Sequence, residues 1–134
     1  MTTLRRKTVL IGIGLIFLFV NPAIAVEYHC FTTKKYDFEV EYSESQLNKR
    51  QFAVKVEELA SNIFISRCSV LPFEKELTCD RYQVDRVEYD KNVKIKKYYI
   101  FESQYDFQIF QDLSSLENNG RGGVQYGRCK VLAP

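Results

Sequence analysis

The chain has 134 residues, 46% of them hydrophobic, with 19 basic and 17 acidic side chains. That length suits one domain with one core. Arg5, Arg6 and Lys7 stand ahead of every acidic residue, so beyond residue 25 only 16 basic side chains face 17 acidic ones, a net charge of −1; a surface so near neutral argues against nucleic acid as a partner.

The basic start runs into Thr8–Val20, an apolar stretch without charge. Its 13 residues fall short of the roughly 20 that cross a bilayer as a helix. Asn21-Pro22 breaks the run, and Ala23-Ile24-Ala25 offers small residues where a signal peptidase reads. The expectation is an export signal over 1–25, a single domain over 26–134, no membrane span after cleavage, and a periplasmic or secreted location.

From Val26 the apolar pattern has period two. Nine Tyr and eight Phe, with many Val and Ile, favour strands. Tyr28, Cys30 and Thr32 share one face of a first strand. Tyr36, Phe38, Val40 and Tyr42 alternate with acidic residues and read as a half-buried strand. Ser43–Arg50 is polar, a loop with at most one helical turn. Phe52, Val54 and Val56 alternate with Lys55 and Glu57, and Ile63–Val70 follows as another strand. In Leu77–Asp90 the phase slips at Asp85-Arg86, the mark of a bulge or tight bend. Asp90-Lys91-Asn92 is a hairpin turn. After it Val93, Ile95, Tyr99 and Phe101 read as the inner row, with Lys94, Lys96, Tyr98 and Ile100 outside. Glu102-Ser103-Gln104 turns the chain into Tyr105, Phe107 and Ile109. Asn118–Gly123 tolerates positive φ and reads as a loop, and Val124–Leu132 closes the domain.

Cys30, Cys68, Cys79 and Cys129 allow three pairings. The nested one is expected: Cys68–Cys79 around Leu71-Pro72-Phe73, and Cys30–Cys129 tying the first strand to the last. No C-x-x-C occurs, which disfavours zinc ligation and thiol redox chemistry. The expected fold is all-β: a small antiparallel meander barrel, or else a two-sheet sandwich, with two disulfides.

Tyr28-His29-Cys30, Ile65–Ser69, Thr78–Arg86, Ile95–Tyr99 and Asn119–Cys129 resemble segments of small exported bacterial proteins of unassigned function. Such proteins share a leader, an early Tyr-x-Cys strand and a late Gly-basic-Cys strand, here Gly127-Arg128-Cys129. The resemblance implies membership of that group, which brings no activity and no catalytic residue. In size and cysteine placement the chain is also loosely similar to periplasmic lysozyme inhibitors of the small β-barrel kind. It departs from their Ser-Gly-x-Gly loop, since Gly120-Arg121-Gly122-Gly123 carries no serine.

Chemistry-bearing patterns are few. His29 is the only histidine and has no nucleophile motif beside it. No Gly-x-Ser-x-Gly elbow and no phosphate loop occurs. The expectation is therefore no enzyme, no cofactor and no metal. Candidate partner surfaces are Arg121 in the glycine loop, Phe73, and the basic stretch Lys96-Lys97-Tyr98. Phe38, Phe52, Tyr99, Phe101 and Phe107 are expected to fill the interior. The expected function is a monomeric binding or inhibitor module for an envelope or extracellular protein or glycan. The alternative is a lipocalin-like carrier with an apolar cavity.

Overall fold

The structure, a computed structural model, describes residues 24–132. The expected leader falls almost wholly outside these residues. Ten strands and one short helix follow in order: β1 (Ile24–Asp37), β2 (Val40–Glu41), α1 (Glu44–Arg50), β3 (Ala53–Leu59), β4 (Ile63–Val70), β5 (Leu77–Gln83), β6 (Arg86–Asp90), β7 (Ile95–Ile100), β8 (Tyr105–Ile109), β9 (Ser114–Asn118) and β10 (Gly123–Leu132).

All pairings are antiparallel, in the order β5-β4-β3-β1-β10-β9-β8-β7-β6, with β2 attached to β1. The sheet is therefore a meander broken once, where first and last strands meet in its middle. It curls into a half-barrel, so the expected all-β architecture stands. The two edge strands β5 and β6 are joined by only Val84-Asp85. At that corner Val84 N–H donates to Ile63 O on β4 and Asp85 N–H to Tyr99 O on β7, both at 2.9 Å. The bend expected at Asp85-Arg86 is thus where one long strand changes partners. Elsewhere β5 and β6 have no strand between them among the described residues, and a seam stays open.

Both disulfides form as expected, Cys30–Cys129 and Cys68–Cys79. Each joins residues directly opposite in register, on β1–β10 and β4–β5. Disulfides of this kind belong to an oxidising compartment.

The inner face holds Val54, Val56, Ile65, Tyr98, Ile100, Tyr105, Phe107 and Ile109 around Cys30 and Cys129. The expected β7 inner row is reversed: Tyr98 and Ile100 are buried, while Phe101 is exposed and Tyr99 only partly covered. Lys96 shares the inner parity because Glu58, on β3 across the interior, receives its ammonium at 2.8 Å. Tyr98 donates to the same oxygen at 2.6 Å.

Phe38 is the second correction. The strand expected through Tyr36–Tyr42 is a hairpin turning at Phe38-Glu39, with Phe38 at φ 55° and 80% exposed. A register shift between Thr32 and Lys34 has already flipped the parity of β1. Lys35 consequently points inward, and Phe38 lies outside, over Gly122. Of the other expected core aromatics, Phe107 is buried and Phe52 half-buried. The polar Ser43–Arg50 stretch forms α1, held by a Ser43/Gln46 capping box.

Candidate functional site

Registers across the second half of the sheet line up one inner row: Tyr98 faces Phe107, Phe107 faces Glu117, Glu117 faces Gln125, and Gln125 faces Lys35. Glu117 is 1% exposed, and a carboxylate so placed needs partners. Arg67 reaches it from β4 on the opposite wall, with Nε at 2.9 Å and Nη2 at 2.6 Å from the same oxygen. Gln125 donates to the other oxygen. Burial pushes the Glu117 pKa above the usual carboxylate range, against the pull of Arg67 and Lys35. Burial disfavours the Arg67 charge, but Glu117 overrides it and holds the guanidinium pKa above its ordinary value.

Tyr105 sits beside this pair on β8, its ring 5.2 Å from the Arg67 guanidinium. The residue is 3% exposed, and its hydroxyl has no hydrogen-bond partner among the described residues. Burial and the nearby Glu117 carboxylate keep the phenol protonated to well above its normal range. The hydroxyl is shut off from solvent and lies near Glu117, whose two oxygens accept from Arg67 and Gln125.

Arg67 and Tyr105 floor a recess of about 50 Å³ walled by Tyr82, Ser103, Asn119 and Arg121. The recess shares Tyr82, Ile100, Ser103 and Arg121 with an outer groove of about 620 Å³, whose rim also carries Glu102 and Gln104. Three elements build this groove at the open seam: edge strand β5, the β7–β8 turn and the β9–β10 loop. The loop is pinned by side chains. Asn119 Oδ1 accepts from the backbone N–H of Arg121 and of Gly123, and Asn118 Oδ1 accepts from Gly120. Gly120 has φ 73°, and a Cβ there would sit 2.5 Å from the carbonyl oxygens of Ser103 and Gln104. Glycine is needed for the loop to lie against the turn.

Of the residues singled out from sequence, only Arg121 lies at this groove. Tyr98 is fully buried, so it offers no partner surface. Lys96 is turned inward to Glu58, which outweighs the cost of burial and raises its pKa. Lys97 remains on the outer face of β7, half-buried. Phe73 is fully exposed in the β4–β5 loop and takes no part in the groove. Arg67, Tyr105 and Glu117 were not singled out. Parity marked the first two, because Arg67 follows Ile63 and Ile65 in step and Tyr105 leads Phe107 and Ile109. Glu117 lies in Ser114–Asn118, a polar segment with little strand signature.

Other surface depressions exist, one beside the Val84-Asp85 corner and one between α1 and β1. Neither contains a buried polar atom lacking a partner. Among the described residues no cluster of three metal-ligating side chains occurs, and no helix is long and apolar enough to cross a membrane. No protein-family model, curated protein or solved structure matches the chain.

Proposed function

We propose that this protein is a non-enzymatic binding module of the periplasm or cell exterior, and that the seam groove holds its partner. One observation carries the reading: a groove of about 620 Å³ along the free edge of β5 leads into a recess lined by two guanidinium groups, Arg67 and Arg121. Charged donors held in a concave site with a pinned loop are what a binding site for a polar partner needs.

The ionisable groups favour binding over catalysis. Glu117 is buried and ion-paired with Arg67, and the Tyr105 phenol is held protonated and shut off from solvent, so neither is poised as a base. The two disulfides and the charged pattern at residues 5–7 followed by an apolar run support export. The partner in that compartment is a protein or polymer of the envelope or its surroundings. A lipocalin-like carrier has weaker support, because Tyr98, Phe107 and Ile65 fill the inner face and two ion pairs cross it.

An NMR screen of small polar fragments against ¹⁵N-labelled oxidised protein tests the site. The expected result is that hits cluster on Tyr82, Ser103, Gly120 and Arg121. Hits confined to the outer faces of the sheet would refute it.

A further inference from the structure

We infer that the seam groove recognises the C-terminal carboxylate of a peptide, seated between Arg67 and Arg121. The inference rests on the groove being the binding site and names what enters it.

The donor set is the first argument. Arg67 directs Nε and Nη2 to one oxygen of Glu117, which leaves Nη1 for another acceptor. Arg121 stands at the lip, its backbone anchored to Asn119 and its side chain without an ion pair among the described residues. Two guanidinium groups around one recess match a planar anion, for which Arg forks are suited.

Size and charge narrow the class. The recess, about 50 Å³, is large enough for a carboxylate-sized group and opens into the groove that would hold the rest of a peptide. Glu117 lies behind Arg67 and Glu102 on the rim near Arg121, so the surroundings balance in charge. A single negative charge is favoured there over a doubly charged phosphate.

Strand β5 supplies the third argument. Val84 and Ile63 form a hydrogen-bonded pair. By alternation, Tyr82, Asp80 and Thr78 direct their backbone groups toward β4, and Gln83, Arg81 and Cys79 direct theirs into the seam. An extended peptide reaching the recess past Tyr82 meets a free strand edge that can bond its main chain. Carboxylate capture combined with edge pairing is an established way to hold peptide termini.

The test uses oxidised protein expressed with its leader and recovered from the envelope fraction. Acetyl-Gly-Gly-Ala as free acid, the same peptide as C-terminal amide, and glucuronate are titrated against the ¹⁵N-labelled protein. The free acid is expected to shift Ser103, Gly120 and Arg121 and to bind at least tenfold more tightly than the amide. Arg121→Ala is expected to weaken the acid several-fold while leaving the fold intact, since its side chain makes no ion pair among the described residues. Equal affinity for acid and amide in the groove would overturn the carboxylate assignment while leaving the proposed site intact. Tighter binding of glucuronate than of the acid peptide would overturn the peptide assignment. Failure of all three probes to shift groove residues would overturn the inference, and the fragment screen then decides separately whether the groove binds anything.

Discussion

Tyr98 and Tyr105 both lie buried on the inner face, yet their hydroxyls differ. Tyr98 donates to Glu58, whereas Tyr105 donates to nothing among the described residues. Deleting an unsatisfied buried hydroxyl removes a penalty, so Tyr105→Phe is expected to raise stability by about 1–2 kcal/mol in urea unfolding. A loss of similar size would mean that the hydroxyl is bonded. Both phenols have folded-state pKa values raised above 10, burial being the first cause and the carboxylate of Glu58 or Glu117 the next. Above about pH 10 the unfolded chain releases these protons and the folded chain keeps them. Stability is therefore full below that pH and falls as pH rises further. Absorbance titration of the phenolates should show two tyrosines ionising only with unfolding; ionisation of all nine in the folded protein would contradict the burial. At this scale the sequence misled most at Lys96. A lysine in a strand reads as outward because a buried cation is costly. Its compensating partner, Glu58, lies 38 residues away and is joined to it only by the curl of the sheet.

Elements were easier to read than the faces they present. The Tyr105–Ile109 alternation, the hairpin at Asp90–Asn92 and the corner near Asp85 depend on local pattern, and each forms. Ser43 and Gln46 spell a capping box, a signal for α1 that the polar composition of Ser43–Arg50 obscured. What failed was parity. One register shift in β1, between Thr32 and Lys34, reverses every side chain after it. That shift puts Lys35 inside and leaves Phe38 to turn the hairpin. The glycine loop was legible as a loop, and Arg121 as a candidate contact residue on it, but not the floor beneath it. That floor needs β4, β8 and β9 brought together over long separations. Gly120 is the joint between loop and turn. Gly120→Ala is expected to cost about 1–3 kcal/mol, since it adds a Cβ at positive φ against two carbonyls. It should also move the Ser103 and Gln104 amide resonances. An unchanged spectrum and midpoint would show that the loop does not rest on the turn.

Across the whole molecule, the fold is a curled sheet fastened at two places and left open at a third. Cys30–Cys129 crosslinks the central pair β1–β10 over a separation of 99 residues, for which the chain-entropy account gives roughly 4–5 kcal/mol. Cys68–Cys79 braces β4–β5 beside the seam. Fastening the middle fixes the curl, and the Val84-Asp85 corner keeps the two edges from separating fully. The groove lies where the free edge of β5 runs past the β7–β8 turn and the β9–β10 loop without a strand partner among the described residues. Amide hydrogen exchange along β5 in the free, oxidised protein tests this most directly. The account predicts alternation, with Thr78, Asp80 and Tyr82 protected by β4 and Cys79, Arg81 and Gln83 exchanging rapidly into the seam. Protection of those three amides to the level of β1 and β10 would mean a closed barrel, and would contradict both the open groove and the site built on it.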